Sequence, residues 1–323
     1  MPQDHHHATT SGHGHQHGHG HDDDILPNLL DIDAEVARPQ IDALTAHIAE
    51  ITTNHPVKRI LDIGSGTGTG TFALLRRFPD ATSTAVDTSA DMLRRLTEAA
   101  RQHGLADRVR TLQADLDGVS LAALGGARPE ATGTGRDAAG AGRDAADAGL
   151  DGDRPAVGPA DLIWASSSIH HMADPDRVLR DIRSTLAPGG LFVMIEMDTM
   201  PYFLPAGHAG GLENRCQAAA SQARAEHLPH IGSDWPARLE AAGLSVLEAR
   251  LMTVEVPAPL SEKAQLYATT VLGRYRTTLA DRLSATDLAA LDELLAPGAL
   301  AALPGVAVRS TRDVYFARPP SQS

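Results

Sequence analysis

An α/β fold of alternating strands and helices is what this sequence predicts, and three observations carry it. A short apolar run, Ile60, Leu61 and Ile63, passes straight into glycines at 64, 66, 68 and 70, and a helical pattern with Phe72, Leu74, Leu75 and Phe78 takes over. Two further β-type runs, 82–86 and 109–113, lead into Asp87 and Ala114-Asp115. A fourth and a fifth run flank a helical segment that stops at Pro188-Gly189-Gly190. Repeated strand, turn and helix units of this kind build a parallel sheet.

Composition narrows the function classes. A chain of 323 residues holds one main domain with embellishments. The formal charge of −13, with no Lys/Arg-rich block, argues against sequence-independent nucleic-acid binding, which depends on neutralising phosphates. Cys216 is the single cysteine, which excludes an internal disulfide framework and a cysteine metal site and fits a reducing cytosol. No run approaches the roughly 18 apolar residues of a membrane span, and the N-terminus lacks the apolar core of a signal peptide. The expectation is a soluble, cytoplasmic protein.

The elements follow in order. Residues 1–24 contain His5, His6, His7, His13, His15, His17, His19 and His21 with almost nothing apolar, and are expected to be a disordered tail. Imidazole suits zinc, nickel and copper, so His13, His15, His17, His19 and His21 are candidate ligands for a labile metal. Over 29–51, Val36, Ile41, Leu44, Ile48 and Ile51 fall at helical spacing, with Pro39 either starting the main helix or kinking it. The glycine turn comes next. Positive φ is open to glycine at no steric cost, and the following helix points free N–H groups at whatever lies there, which suits a nucleotide-like cofactor.

Asp87, about 20 residues beyond the glycines, stands where a carboxylate can accept both ribose hydroxyls; its other role is to cap the helix over 89–103, for which Ser89 also serves. Asp115, or else Asp117, falls at the carboxyl edge of the sheet beside the ligand's base. Residues 126–158 turn abruptly to Gly, Ala, Asp, Arg and Pro, with Gly-Arg-Asp-Ala-Ala repeated at 135–139 and 142–146, and read as a disordered insertion in a surface loop. The fold resumes at Asp161, where a fourth strand delivers Ser166–Ser168 and the pair His170-His171 to the same edge as the glycines. Asp174-Pro175 starts a helix with Val178, Leu179, Ile182 and Leu186 inward, and strand five runs over 191–196.

Taken together, Leu61-Asp-Ile-Gly-Ser-Gly-Thr-Gly68, Asp87 closing strand two, Ala114-Asp115 after strand three and Leu186-Ala-Pro-Gly-Gly-Leu-Phe-Val193 before strand five resemble the class I S-adenosylmethionine-dependent methyltransferases. The likeness is strongest to the small-molecule branch that includes the ubiquinone and menaquinone biosynthesis type, and it covers about a third of the chain. The resemblance implies a Rossmann-like, mostly parallel seven-stranded sheet of order 3-2-1-4-5-7-6 with its last strand antiparallel. Residues 244–256 and 306–317 are the candidates for strands six and seven. Helices near 261–280 and 284–296 and an irregular stretch over 198–243 follow, so that 198–243 and 257–305 form a lid that chooses the substrate, all within one methyltransferase domain over 25–323.

The same resemblance assigns Asp62, Gly64, Gly66 and Gly68 to the methionine part of S-adenosylmethionine, Asp87 to the ribose and Asp115 to the adenine, with Ser166 beside them. The function implied is in-line methyl transfer to a small-molecule acceptor, in which alignment and exclusion of water dominate. His170, ahead of His171, is the candidate base, with Glu196, His208, Glu213, His227 and His230 behind them. Tyr202, Phe203, Trp235, Tyr267 and Tyr275 are candidate pocket walls or lid core. A nicotinamide-dependent oxidoreductase is the alternative enzyme, weakened because the glycines run Gly-x-Gly-x-Gly and not Gly-x-Gly-x-x-Gly. A non-enzymatic metal-binding or regulatory protein acting through the tail is the other alternative.

Overall fold

The computed structural model describes residues 25–124, 157–197 and 199–320. The histidines at 13, 15, 17, 19 and 21 and nearly all of the 126–158 insertion lie outside the described residues. The insertion's far edge is shorter than the composition predicts: Val157 is buried against the core and its N–H donates to the Leu124 carbonyl.

Helices α1 (Ile25–Val36) and α2 (Arg38–Ile51) precede strand β1 (Arg59–Ile63). Then come α3 (Thr69–Arg77), β2 (Thr82–Asp87), α4 (Ala90–Gln102), β3 (Val109–Gln113), the single turn α5 (Leu121–Leu124), β4 (Ala160–Ser166), α6 (Pro175–Thr185) and β5 (Leu186–Glu196). The C-terminal half adds α7 (Leu212–Ala225), α8 (Trp235–Ala241), β6 (Ser245–Val256), α9 (Glu262–Thr278), α10 (Ala285–Leu295), α11 (Ala299–Ala302) and β7 (Val308–Arg318). The strands form one seven-stranded sheet of order β3-β2-β1-β4-β5-β7-β6. β7 runs antiparallel to both β5 and β6, and the pairs β1–β2, β1–β4, β2–β3 and β4–β5 are parallel. This is the order that the resemblance implies.

Strand alternation sorts the core onto two faces. Leu61 and Ile63 of β1 join Ile163, Ala165, Phe192 and Met194 under α6 and α8, while Ile60, Leu162, Trp164, Leu191 and Val193 pack on the other face with Leu44, Ile48, Leu74 and Leu75. Each fully buried aliphatic side chain contributes about 1.5–3 kcal/mol. The same alternation sends Asp62 inward on the second face, beneath α3.

A separate apolar cluster holds the upper layer together. Leu29 of α1, Cys216 and Ala220 of α7, Tyr267 and Val271 of α9 and Leu291 of α10 pack with Phe203 and Val308, so this layer has a core of its own.

Over 29–51 Pro39 starts the main helix and does not kink it: Ala37 separates α1 from α2, and Pro39 sits in the first turn of α2, where its missing N–H costs nothing. Two local expectations are corrected. Helix α6 ends at Thr185, and Pro188-Gly189-Gly190 lies within the extended run of β5, where the register slips between Ala160 and Leu162. Glycine is required at 189 because φ is +76° and a Cβ would stand 2.5 Å from the ring of His55. The stretch 198–243 is not irregular; it contains α7 and α8, the first rich in alanine and so weak in apolar periodicity.

Candidate active site

The carboxyl ends of β1, β2, β3 and β4 open into one cavity of about 1250 Å³, roofed by α1, α7 and α9. Parallel α/β sheets place ligands at this edge. Of the residues singled out from sequence, Asp62, Gly64, Gly66, Asp87, Asp115, Ser166, His170 and His171 all line it, and Gly68 does not. Gly68 is a packing residue: it precedes α3 with φ +90°, and a Cβ there would fall 2.6 Å from the Leu96 side chain. Gly64 is likewise constrained by the protein, since a Cβ would stand 2.3 Å from Cβ of Ser168, whose hydroxyl donates to the Ile63 carbonyl at 2.9 Å. Only at Gly66 (φ +52°) is there ordinary room, with Leu30 at 3.5 Å.

The acids at the strand ends shape the turn as well as the cavity. One Asp87 oxygen accepts the Gly66 N–H at 2.8 Å and the other accepts the Ser89 N–H at 2.9 Å. Ser89 caps α4 through Met92, so the carboxylate ties the glycine turn to the start of that helix. Each oxygen retains a second lone pair for a ligand. Asp115 accepts from the N–H of Asp117, and Asp117 from the N–H of Ala173, at 2.9 and 2.8 Å. Asp62 is buried; the Thr71 hydroxyl donates to it at 2.6 Å, and burial pushes its carboxyl up to about 7 despite that bond. Ser65 carries a buried hydroxyl oxygen with no partner on the cavity wall.

The ends of β4 and β5 supply the basic group. After β4 the chain turns through Ser167, held at φ +51° by a bond from its N–H to the Ile195 carbonyl, and enters a short 3-10 turn over Ile169–His171. His170 is buried, and its Nδ1 lies 2.5 Å from Oε2 of Glu196, whose Oε1 accepts the Ile169 N–H at 3.2 Å. With Nδ1–H donated to the carboxylate, Nε2 is the nitrogen left to accept a proton. The His171 ring lies against that of His170, with centroids 4.2 Å apart and planes tilted by 36°; desolvation and then the neighbouring imidazole lower its proton affinity.

Other sequence candidates separate cleanly. Glu213 accepts the N–H groups of Phe203 and Leu204 and is structural, with burial raising its carboxyl above the usual range. His208, His227 and His230 stand off the cavity, as do Tyr202, Phe203 and Trp235, whereas Tyr267 and Tyr275 line it. Among the described residues no cluster of three or more His, Cys, Asp or Glu could hold a metal ion, and no helix is long and apolar enough to cross a membrane.

Helix α1 was absent from the sequence reading of the site. Thr67 of the glycine turn donates to Asp31 at 2.6 Å, Asp33 accepts from Arg312 at 2.6 Å and from the Tyr267 hydroxyl at 2.5 Å, and Lys263 pairs with Glu35. The alternation of acids at 31, 33 and 35 was the available signal.

The cavity suits a nucleoside carrying a cationic end. Carboxylates stand at the strand ends, Ser65 offers an unpaired hydroxyl, and Gly66 lets a ligand approach the backbone.

Residues 61–192 match the family described as "Methyltransferase domain". Trans-aconitate 2-methyltransferase of Rhodopseudomonas palustris is 42% identical over 78 residues, 24% of this chain and 28% of that protein. Methyltransferase GfsG of Streptomyces halstedii is 25% identical over 222 residues, 69% of this chain and 64% of its own length. The chain thus spans about a quarter of the first relative and under two thirds of the second. A putative sarcosine dimethylglycine methyltransferase from Galdieria sulphuraria superposes with a TM-score of 0.47 at 14% identity, over 86% of this chain and 85% of that one. The oxidoreductase and metal-binding alternatives gain no support from these likenesses. Residues 61–192 thus match a methyltransferase domain, and the sheet order 3-2-1-4-5-7-6 built around them is the one implied by the resemblance to the class I S-adenosylmethionine-dependent methyltransferases.

Proposed function

We propose that the chain transfers a methyl group from S-adenosylmethionine to a small-molecule acceptor whose reacting atom gives up a proton to His170. The observation that carries this reading is the buried His170–Glu196 pair on the wall of a cavity lined by the strand-end acids. When bound, S-adenosylmethionine supplies an electrophilic methyl carbon on a sulfonium. Asp62 and the Gly64–Gly66 backbone would hold its methionine end, Asp87 the ribose and Asp115 the adenine, with Ser166 at the boundary of the acceptor. His170 Nε2 takes the acceptor's proton, and Glu196, held by the Ile169 N–H, fixes the tautomer and stabilises the imidazolium. The roof helices exclude water from the exchange.

On this reading 25–323 is one domain, 198–243 and 257–305 shape the acceptor's half of the cavity, and the single cysteine favours the cytoplasm. The ubiquinone and menaquinone branch is supported by the sequence motifs alone.

The test begins with calorimetry. A folded protein that fails to bind S-adenosylmethionine ends the methyltransferase reading. If it binds, a labelled-methyl screen against a metabolite extract of the source organism finds the acceptor, and His170→Ala should then slow single-turnover transfer about 10²–10⁴-fold with cofactor affinity retained. An unchanged rate would remove His170 from the base role.

A further inference from the structure

The charges around the cavity are divided. The acids lie at the strand ends, at Asp62, Asp87, Asp115 and Asp117, while the acids on α1 are engaged: Asp33 by Arg312 and Tyr267, Glu35 by Lys263, and Asp31 by Thr67. Of the basic residues on the cavity wall, Arg38 and Arg76 pair with Asp42, Lys263 and Arg312 pair with the α1 acids, and α7 and α9 present Arg224 and Arg274. No hydrogen bond or ion pair engages the Arg274 guanidinium among the described residues.

Beside Arg274, Tyr275 is only 4% exposed, lines the cavity, and has a buried hydroxyl with no hydrogen-bond partner. A buried hydroxyl left without a partner is costly, so this oxygen is suited to a ligand. Burial, and after it the Glu213 carboxylate, which accepts the Phe203 and Leu204 N–H groups, raise the Tyr275 hydroxyl above its ordinary range, with Arg224 on α7 opposing them, so the hydroxyl stays protonated and can donate. The wall between these polar groups is apolar, made by Ala220, Ala223, Leu228, Ile231, Val271 and Leu279.

Resting on the methyltransferase reading, we propose that the acceptor is an amphipathic anion, its apolar body lying along α7 and α9 and its carboxylate or phosphate bound by Arg274 and the Tyr275 hydroxyl. The division of charge gives each half of the cavity its own ligand. The strand-end acids suit a cationic cofactor, and Arg274 on the roof suits an acceptor of opposite sign.

Calorimetric titration with octanoate, octyl phosphate and 1-octanol, each with and without S-adenosylhomocysteine, tests this. At least one anion should bind about tenfold or more tightly than the alcohol, and whichever is tighter identifies the headgroup. Arg274→Gln should abolish the preference with the melting temperature and S-adenosylhomocysteine affinity unchanged, Arg274→Lys should keep part of it, and Tyr275→Phe should weaken both anions several-fold. Equal binding of anion and alcohol, binding of none of the three, or a preference that survives Arg274→Gln overturns the proposal. Failure of S-adenosylhomocysteine to bind counts against the methyltransferase reading alone, because the anion preference is also measured without it.

Discussion

Replacing Asp62 by Asn should make the cofactor-free protein more stable at pH 8 than the native sequence, and progressively less so as the pH falls. Burial raises the carboxyl of Asp62 from its ordinary 3.8 to about 7, so the folded state keeps a proton that the unfolded chain has already released. Between those two values the unfolded state binds fewer protons, and stability therefore falls as pH rises from about 4 to about 7 and is level above that. At 1.36 kcal/mol per pH unit, the penalty from this one group is about 4 kcal/mol at pH 8 and about 2 kcal/mol at pH 5. An Asn at this position keeps an acceptor oxygen for the Thr71 hydroxyl and N–H and has no charge to bury. Urea denaturation of both proteins at pH 5 and pH 8 should show the advantage of Asp62→Asn widening by about 2–3 kcal/mol across that interval. A constant gap would mean that Asp62 is ionised in the folded state, and the argument from burial would fail. The same group makes cofactor binding sensitive to pH. A cationic ligand end favours the ionised carboxylate, so affinity should increase toward pH 8 in the native protein and lose that dependence in the Asn variant.

Three other outcomes are expected. Asp87→Ala removes the acceptor for Gly66 and Ser89 as well as any bond to the cofactor; each charge-assisted hydrogen bond is worth about 1.5–3 kcal/mol, so S-adenosylmethionine should bind at least about tenfold more weakly by calorimetry. Gly64→Ala should destabilise the fold by about 2–5 kcal/mol, since it adds left-handed strain to a collision with Ser168, whereas Gly66→Ala should cost only the strain of about 1–2 kcal/mol; denaturation of the two side by side checks the difference. Asp33→Ala leaves Arg312, which is 5% exposed, without its carboxylate and should cost about 2–4 kcal/mol, a little below a fully buried pair because Asp33 keeps some contact with solvent.

The sheet was legible in the sequence because its information is local. Period-two apolar runs closing on Asp87 and near Asp115, and glycines after Ile63, mark strand ends that need no tertiary knowledge. The roof was not, because its helices acquire their apolar faces only by packing on one another. Ala219 and Ala220 of α7 are core residues, yet alanine carries no strong periodic signal. Nor does the sequence show that glycines 64 and 68 also answer to packing, since a Cβ at either would meet Ser168 or Leu96, residues far away in the chain. Glu196 was one weak candidate among several until the β4–β5 register, with Ser166 opposite Ile195, brought it against the turn that holds His170.

The two tryptophans lie in different surroundings: Trp164 forms part of the cavity wall against Gly70, and Trp235, the first residue of α8, packs in the core. The indole at 164 is therefore a built-in optical gauge of occupancy. Emission from that ring should change as the chamber fills while emission from Trp235 stays constant, so unlabelled protein reports its own loading in real time.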